Sequence, residues 1–439
     1  ENMYEYIKKE NGGAVDDDTI RAFCQQSPET FDWLEDRVGV NFKNNGKTVY
    51  YAKKTSYPPS ATTLYQSGNE SAYPYATISS PAARGNRTFG EYLTGNQFFG
   101  AFQNTVESHP NIVVQENSPA KKLLMENGKC VGVVIRTFPC GDEWNDVHAI
   151  QNMLHEIGSG SAMFGGRKID QGCLQREKEI LNEFGVDIEI RAKKGVIIAC
   201  GGYYFNQDLI NSYAPKYNDF MPLGNLGDDG SGILLARDVG AKLARMDRCS
   251  AWKFINPPFS FVRGVLTNSK GVRVGNEDVY GASFADFLVQ NHEGKGWLII
   301  DQAMWDEANR DCMDPDSGLQ EDQRMQGLAN LHRNHKKATT WKELARECEM
   351  DPTLLEQTMS KYNKDALEGS DSEFGKKGQY LAPLNQGPFY AINLNMTGNK
   401  YWPTPCMSLG GVVVEGSTGL AIDSKTNKPI PGLYAAGRR

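Results

Sequence analysis

Hydrophobic and polar positions along the chain alternate in patterns that predict a mixed α/β protein. Apolar runs at 122–126 and 129–135 flank Asn127-Gly128, a pair that suits the two positive-φ positions of a type I′ turn, and so predict a β-hairpin. A run of branched residues at 194–202 ends in paired glycines and predicts a buried strand whose end approaches a ligand. The segment 227–232, rich in Gly and Asp, predicts the opening of a helix through Ile233 and Leu243.

Helical periodicity appears in several other places. At the beginning of the chain, Asp17 or Asp18 is the expected N-cap of a first helix. Ser27-Pro28-Glu29 predicts the start of a second helix, and Gly39 is the expected residue just past its end. The other elements follow the same rules: a long ordered loop region at 44–90, helices at 92–106, 341–347 and 352–362, and a strand at 297–300.

A separate insertion is predicted at 139–190. Helical patterns at Ala149–Ile157 and Leu174–Phe184 stand on either side of the glycine- and serine-rich stretch 158–166. Such a composition is typical of a flexible segment. We therefore expect the insertion to interrupt a sheet without belonging to it.

Composition and charge narrow the function classes. The 439 residues suffice for two or three domains, and 47 basic against 54 acidic residues give a formal charge of −7. An acidic chain without a dense basic stripe predicts no nucleic-acid partner. No apolar run has the length of a membrane span, and residues 1–4 show no secretory signal pattern. Nine cysteines without a CxxC motif predict reduced thiols and a cytoplasmic protein.

Both ends of the sequence look abrupt. An apolar strand at 429–437 runs into Arg438-Arg439 and stops there, and no initiator Met or first strand opens the chain. We therefore expect that segments are missing at both ends.

Several segments together resemble one superfamily of flavoproteins. The order and spacing of these segments match those of the superfamily's motifs. The segments are 192–202 with Asn206, 227–233, 431–437, Lys54–Pro58, Tyr73-Pro-Tyr75, Pro81–Gly85, Met246-Asp-Arg248 with Ala251-Trp252, and Asn276–Ala282. On these residues the chain resembles the fumarate-reductase/ketosteroid-dehydrogenase superfamily of FAD flavoproteins. Within it, the chain is most similar to the 3-ketosteroid Δ4-dehydrogenases, over nearly its whole length except the insertion.

The resemblance implies a fold class and a domain division. The expected fold is α/β, a Rossmann-like FAD-binding domain whose first βαβ unit is missing, interrupted by an α+β cap domain. Residues 1–244, with the insertion, are expected to form the first part of the FAD-binding domain. Residues 245–385 are expected to form the cap, and 386–439 the second, truncated part of the FAD-binding domain.

The catalytic residue that the resemblance implies is Tyr280, within Asn276-Glu-Asp-Val-Tyr280. In a 3-ketosteroid the keto group acidifies the C4 hydrogen, a hydroxyl relay removes that proton, and the flavin accepts hydride from C5. A phenol suits this chemistry because it can pass a proton in a dry, apolar pocket. The alternative is that Tyr280 is a core aromatic residue whose hydroxyl bonds to the backbone.

Substrate contacts are expected from aromatic residues that can form a flat hydrophobic wall. We assign Trp252, Phe254 and Tyr73 to this wall, with ordinary core packing as the alternative for each. Ser408 lies in Met407-Ser-Leu-Gly-Gly411, where the dicarboxylate reductases of the superfamily carry a His-Thr-Met-Gly-Gly run. The resemblance assigns Ser408 to substrate binding. Because this stretch lacks an imidazole to bind a carboxylate, we expect a substrate other than fumarate or urocanate.

The FAD contacts implied by the resemblance are backbone contacts. Gly201, Gly202, Gly230 and Gly437 are expected to let the main chain approach the flavin, and Ala120 to meet the adenine. Tight turns at strand ends are the alternative for the glycines, and simple strand pairing is the alternative for Ala120. Asp229 and Ser231 can equally well cap the following helix.

The expected partners are FAD, a hydrophobic, steroid-like small molecule and an unidentified electron acceptor or donor. No metal site is expected, because His332 and His335, although at helical spacing, lack a third ligand. The resemblance implies an FAD-dependent oxidoreductase that dehydrogenates, or reduces, the C4–C5 bond of 3-ketosteroids. Two alternatives are a flavin-dependent reductase of another enone or unsaturated acid, and a non-catalytic remnant without cofactor.

Overall fold

The chain folds into two compact units, each built from three stretches of sequence. The computed structural model describes residues 1–52, 58–66, 68–90, 94–139, 141, 144, 146–147, 149–151, 153–154 and 166–437, without the side chains of 166, 167 and 170. Unit 1 comprises Glu1–Pro110, Asp219–Met221 and Ala251–Pro405. Unit 2 comprises Asn111–Asn218, Pro222–Ser250 and Cys406–Arg439.

Helices and strands are numbered in chain order. The α-helices are α1 Asn2–Asn11, α2 Asp17–Trp33, α3 Tyr75–Ile78, α4 Gly95–Ser108, α5 Gly166–Phe184, α6 Gln207–Tyr213, α7 Ser231–Asp238, α8 Gly281–Asn291, α9 Gln302–Met313, α10 Glu321–Arg333, α11 Trp341–Glu347 and α12 Pro352–Glu368. The strands are β1 Tyr50–Tyr51, β2 Leu64–Tyr65, β3 Gly85–Asn86, β4 Ala120–Glu126, β5 Lys129–Thr137, β6 Val186–Arg191, β7 Val196–Ile198, β8 Met221–Pro222, β9 Leu243–Ala244, β10 Cys249–Ala251, β11 Val265–Thr267, β12 Trp297–Asp301, β13 His335–Ala338, β14 Phe389–Asn393, β15 Pro405–Ser408, β16 Gly411–Val412, β17 Leu420–Ile422 and β18 Pro429–Ala435.

Unit 1 is organised around a four-stranded antiparallel sheet in the order β11-β12-β14-β13. The strand β12 is apolar throughout its centre, and Leu298, Ile299 and Ile300 are fully buried, as expected for a strand covered on both faces. Ile299 lies opposite Ala391 of β14. The predicted strand at 297–300 and the helix at 341–347 are confirmed, whereas the predicted helix at 352–362 continues to Glu368 as α12.

The first helices differ from the sequence prediction at two points, the N-cap of α2 and the expected helix start at Ser27-Pro28. Asp16, not Asp17 or Asp18, caps α2, because its carboxylate accepts the N–H of Thr19 at 2.8 Å. The predicted new helix at Ser27-Pro28 is wrong, because α2 continues through Pro28. Proline lacks the N–H that would bond the carbonyl four residues back, and the hydroxyl of Ser27 donates to that carbonyl, of Cys24, instead.

Unit 2 contains two three-stranded sheets, β4-β5-β6 and β17-β18-β7. The predicted hairpin is confirmed as β4 and β5, with Asn127 at φ 49° and Gly128 at φ 78° in its turn. The strands β7 and β18 run parallel, with Ile198 beside Ala435, so that both leave the sheet at the same edge. Their apolar side chains join a core that includes Leu123, Cys130, Ile198, Ala236 and Leu433.

Two sequence-based boundaries differ from the structure. Residues 1–110 belong to the same unit as 251–405, whereas we expected them in the FAD-binding part. Among the contacts that join them to this unit are hydrogen bonds from Asn69 to Ser283 and from Gln320 to the carbonyl of Pro58. These residues lie more than 200 positions apart in sequence, so no local pattern indicates the contacts. The predicted insertion 139–190 also overlaps β6, which pairs with β5 and thus belongs to the sheet. Its glycine-rich stretch lies outside the described residues, apart from Gly166.

The two histidines at helical spacing do not share a helix. His332 lies in α10 and its Nε2 is 2.8 Å from Oδ1 of Asn309, whereas His335 is the first residue of β13. Their helical spacing therefore does not place both on one helix, because α10 ends at Arg333. Within the described ranges, no helix combines the length and the apolar character needed to cross a bilayer.

Candidate functional site

In unit 1, the predicted catalytic residue lies at the beginning of α8. Tyr280 is the N-cap residue of this helix, and its backbone N–H donates to Oδ1 of Asn69 at 2.6 Å. Its ring packs edge-on against Phe254, with centroids 5.1 Å apart, and Phe254 in turn packs edge-on against Trp252 at 5.7 Å. The structure therefore brings together three of the predicted residues in one aromatic row.

A glycine makes this aromatic row possible. A Cβ at Gly281 would lie 2.4 Å from Cδ1 of Phe254 and 2.7 Å from the carbonyl oxygen of Lys253. Both distances are too short for real atoms, so only glycine lets Phe254 lie against the first turn of α8. A small cavity of about 30 Å³ is lined by Phe254, Tyr280 and Gly68, among others.

The environment of Tyr280 keeps its phenol protonated. Burial raises the pKa of Tyr280, and the neighbouring groups Tyr65 and Glu10 raise it further. A neutral phenol can donate one hydrogen bond and accept another at the same oxygen. Such a group is suited to pass a proton along, and is poorly suited to hold a negative charge by itself.

Asn69, which sequence reasoning missed, holds the beginning of α8 in place. Asn69 is fully buried, and its Nδ2 donates to the carboxylate of Glu10 at 2.9 Å and to the hydroxyl of Ser283 at 2.7 Å. Its own backbone N–H donates to the hydroxyl of Tyr6 at 3.1 Å. The amide side chain thus ties α1 to the helix that begins next to Tyr280. No signal at Asn69 itself would have found this role from the sequence.

The segment before Tyr280 is anchored by buried ion pairs. Arg273 pairs with Glu277 at 2.8 Å and with Asp371 at 2.8 Å, and Lys376 lies 3.2 Å from Glu277. Burial alone would raise the pKa of Asp371, but hydrogen bonds from Arg273 and from the backbone outweigh burial and lower it to about 2. Burial lowers the pKa of Lys376 to about 8, although Glu277 opposes this shift.

Tyr73, the fourth aromatic residue assigned to the substrate, is half-exposed. Its ring lies against Gly375, where a Cβ would be 2.6 Å from the Tyr73 ring. Tyr73 belongs to unit 1, but among the described residues its ring does not pair with the row of Tyr280, Phe254 and Trp252. Its substrate role stays a prediction.

In unit 2, the predicted cofactor glycines lie at one edge of the β17-β18-β7 sheet. Gly201 and Gly202 follow β7, and Gly437 follows β18, so all three leave the carboxyl ends of parallel strands. In α/β proteins this edge is where nucleotide ligands bind. The N–H of Gly230 donates to the carbonyl of Gly202 at 2.9 Å, which brings the beginning of α7 to the same edge.

Contacts within the protein also explain the backbone conformation of Gly201 and Gly202. Gly201 is left-handed, with φ 77°, and a Cβ there would lie 2.0 Å from Oδ1 of Asp228. That carboxylate accepts the N–H of Gly202 at 3.1 Å. Asp228 was not singled out from the sequence, although it lies inside the Gly-Asp-Asp-Gly motif. The tight turn that we gave as the alternative is thus present, and contact with a cofactor remains a prediction for Gly201 and Gly202.

The residues at this edge fit a flat ring. A Cβ at Gly437 (φ 76°) would meet no described atom within 4 Å, and Ile197 of β7 is 66% exposed. Ile197 lies opposite Tyr434, within the sheet, and Gly437 lies beyond the end of β18. Open backbone after one strand and an exposed apolar side chain on the neighbouring strand leave room at this sheet for a flat ring such as isoalloxazine. Ala120 is exposed at the start of β4, opposite Ile135, so the predicted adenine contact and simple strand pairing both remain open. The N-cap of α7 is Gly230, so neither Asp229 nor Ser231 is its cap residue. The carboxylate of Asp229 accepts the N–H of Ser231, the first residue of the helix, at 2.9 Å.

Ser408, assigned to the substrate, has a structural contact in unit 2. It is fully buried, and its hydroxyl accepts the backbone N–H of Tyr203 at 2.8 Å. The hydroxyl of Tyr203 donates to the carbonyl of Met246. Ser408 therefore holds the turn that follows Gly202, and a direct substrate contact stays a prediction.

Known proteins similar to this chain agree with the predicted resemblance. The family model described as FAD binding domain matches residues 1–438. The 3-oxo-5-alpha-steroid 4-dehydrogenase of Comamonas testosteroni is 29% identical over 443 residues, covering 100% of this chain and 80% of that protein. A probable fumarate reductase of Shewanella frigidimarina (strain NCIMB 400) is 28% identical over 254 residues, covering 56% of this chain and 39% of that protein.

A solved structure supports the same conclusion. The 3-ketosteroid-Δ4-(5α)-dehydrogenase of Rhodococcus jostii RHA1, in complex with 4-androstene-3,17-dione, has a TM-score of 0.75 at 25% identity. The match covers 100% of this chain and 77% of that chain. The predicted α/β fold, with an FAD-binding part interrupted along the sequence, and the predicted cofactor FAD are thereby confirmed. The chain belongs to the FAD-binding domain family and is an FAD-dependent oxidoreductase.

Proposed function

We propose that the protein removes hydrogen from, or returns it to, the C4–C5 bond of a 3-ketosteroid. The observation that carries the proposal is the aromatic row Tyr280, Phe254 and Trp252, with a neutral phenol at its end. The steroid 4-dehydrogenases among the similar proteins support the same substrate class. The electron partner is not identified.

In the oxidative direction, one C–H bond breaks at C4 and one at C5. The C4 hydrogen leaves as a proton, which is acidic because the C3 carbonyl delocalises the resulting charge. FAD, when bound, supplies the ring that accepts the C5 hydrogen with its electron pair. The reverse reduction uses the same positions in the opposite order, so the direction depends on the potential of the electron partner.

In this proposal Tyr280 transfers the proton. Its phenol accepts the C4 proton as it passes its own proton to solvent water, which reaches this partly buried residue, so that no charge stays on the oxygen. The raised pKa favours this relay over a stable phenolate. The N–H bond to Asn69 fixes the backbone of Tyr280, and Gly281 lets Phe254 lie beside it.

Trp252 and Phe254 form the apolar wall of the proposed substrate site in unit 1, and Tyr73 is a further contact there. The substrate contact assigned to Ser408, in unit 2, is a separate proposal. Fused saturated rings have no hydrogen-bonding groups along their length, so aromatic surfaces bind them through buried area. For FAD, we propose backbone contacts at Gly201, Gly202, Gly230 and Gly437, with Ala120 meeting the adenine. The open Cβ position at Gly437 and the exposed Ile197 support these assignments.

The decisive experiment replaces one hydroxyl. In the flavin-loaded protein, Tyr280→Phe is expected to keep the flavin absorbance and to lower kcat for 3-ketosteroids by roughly 10²-fold or more, the scale of a lost acid–base group. KM should change little, because the ring and its contacts with Phe254 remain. Tyr50→Phe, at a half-exposed tyrosine of the same unit, is the matched control and should leave kcat unchanged. Unchanged turnover in Tyr280→Phe would remove Tyr280 from the mechanism.

A second candidate function is reduction of another enone or of an unsaturated acid. The similarity to a probable fumarate reductase favours it. The run Met407–Gly411 disfavours it for dicarboxylates, because it contains no cationic or imidazole side chain. Turnover of small unsaturated acids, with none of 3-ketosteroids, would reject the steroid proposal. A protein that stays colourless when supplied with flavin would instead point to the non-catalytic alternative.

We further propose a reducing, cytoplasmic location. All eight cysteines within the described residues are free thiols. Reduced thiols are typical of proteins in a reducing compartment. Thiol titration of protein purified without reductant tests this: eight or nine free thiols are expected, and a disulfide would contradict the proposal.

A further inference from the structure

A concave surface of unit 1 lies beside the end of α10 and the loop after β14. It encloses about 280 Å³, close to the lower end of the range for small-molecule pockets. Its lining comes from β12, from the connection between α10 and β13, and from that loop: Trp297, Arg333, Asn334, His335, Lys336, Asn393, Gly398, Asn399, Lys400 and Tyr401. The predicted catalytic Tyr280 and its aromatic row are not among these residues. We call it the basic pocket.

The charge of the basic pocket is of one sign. Arg333, Lys336 and Lys400 are exposed cations, and no Asp or Glu is among the lining residues. Among the residues that the structure describes, none of the three has a carboxylate within 4.0 Å, although exposed lysines elsewhere, such as Lys295, do. Three cations held around one cavity without a counter-ion favour a multiply charged anion.

The floor of the pocket is rigid. Asn399 is buried, and its Nδ2 donates to the carbonyl of Asn393 at 2.9 Å while its Oδ1 accepts the N–H of Trp402 at 3.1 Å. Asn334 donates to the same carbonyl of Asn393 at 2.9 Å and to Asn330 at 2.8 Å. These bonds fix the two chain segments that carry the cations, so the pocket exists before a ligand binds.

We propose that the basic pocket binds a phosphate-bearing small molecule. A phosphate group carries a charge of about −1.5 to −2 at pH 7 and has three acceptor oxygens, whereas a carboxylate carries one charge. Arginine and lysine are the usual partners of phosphate, through charge-assisted hydrogen bonds. The aromatic rings of Trp297 and Tyr401 offer a surface for a planar base, which makes a mononucleotide the source that fits the whole pocket.

The test measures binding to the flavin-loaded protein by calorimetry at constant ionic strength. Inorganic pyrophosphate and AMP are expected to bind saturably, and the affinity should fall as salt is added. The double variant Lys336→Ala/Lys400→Ala should weaken both Kd values at least about tenfold, the effect of losing a charge-assisted hydrogen bond. Lys270→Ala, at an exposed lysine of the same unit outside the pocket, should leave them unchanged.

The arms of the experiment separate the two ligand sources. Tighter binding of AMP than of pyrophosphate indicates contact with the base, and equal binding indicates recognition of phosphate alone; both support the proposal. Melting temperatures of the variants without ligand should match the unmodified protein, because both lysines are exposed. The proposal is overturned by absence of saturable binding, by equal affinity in the double variant, or by equally tight binding of succinate.

Discussion

At the scale of single residues, the position of Tyr280 depends on side chains far from it in sequence. Asn69 stands 211 residues before Tyr280 and accepts its backbone N–H. Gly281 gives Phe254 room against the helix that Tyr280 begins. A sequence motif predicts Tyr280, whereas the roles of Asn69 and Gly281 in positioning it are visible only in the folded structure.

Asn69→Ala is expected to destabilise the protein and to slow turnover together. The change leaves the N–H of Tyr280 and the hydroxyl of Ser283 without this partner, at a cost of about 1–3 kcal/mol for a buried group. Thermal unfolding and steady-state kinetics measure both effects. Asn291→Ala, at an exposed asparagine of α8 whose side-chain amide donates to the carbonyl of Phe287, is the matched control. If kcat is unchanged in Asn69→Ala while stability falls, Asn69 has a structural role only.

At the scale of elements, the turn between β4 and β5 offers a clear test of backbone conformation. Gly128 is left-handed and a Cβ there would meet nothing, so Gly128→Ala changes strain without changing contacts. We expect it to lower the free energy of unfolding by about 1–2 kcal/mol. Gly172→Ala in α5, also without neighbours, should instead be neutral or stabilise by roughly 0.5–1 kcal/mol. Urea unfolding would contradict this account if the two variants shifted alike.

Sequence reasoning predicted elements well where the signal is local. The hairpin at Asn127-Gly128, the start of the helix after Gly230 and the helix at 341–347 depend on turn chemistry, capping and periodicity within a few residues. The predicted end of the helix after Gly230 was wrong, because α7 ends at Asp238 and Leu243 begins β9. It failed at Pro28, because the hydroxyl of Ser27 compensates for the missing N–H. It also failed at His335, where the chain changes from helix to strand within two residues.

The site residues that the sequence predicts are also those with a local sequence signal. Glycines at strand ends and the tyrosine before a helix are visible in sequence, because each sits at an element boundary. The carboxylate of Asp228, which requires Gly201, and the amide of Asn69 act across the fold. Such contacts depend on tertiary packing, which a single sequence does not specify residue by residue.

At the scale of the whole molecule, the buried charges of unit 1 make stability depend on pH. The pKa of Asp371 is about 2 in the folded protein and near 3.9 in an unfolded chain. The folded state therefore binds fewer protons than the unfolded state between these values. The stabilisation from Asp371 is complete above about pH 4 and is lost as the pH falls towards 2.

Thermal unfolding from pH 6 to pH 2 should show this loss. In Asp371→Asn, the pH dependence between 4 and 2 should flatten. Stability at neutral pH should fall by about 1.5–3 kcal/mol, because Arg273 loses charge-assisted hydrogen bonds to Asp371 but keeps its ion pair with Glu277. Asp316→Asn, at an exposed aspartate of the same unit, should retain the dependence of the unmodified protein. A steep loss that persists in Asp371→Asn would assign the effect to other carboxylates.

The interleaving of the two units also has a consequence for biosynthesis. The strand β7 near residue 197 pairs with β18 near residue 434, and the first 110 residues belong with 251–405. As the nascent polypeptide leaves the ribosome from its amino end, the first 110 residues must wait until the stretch up to 405 has emerged. The β17-β18-β7 sheet can form only after β18, Pro429–Ala435, has been synthesised. Neither unit 1 nor unit 2 can fold completely before its later segments have been synthesised. During translation, their apolar surfaces therefore stay exposed for longer than they would if each unit were one continuous segment.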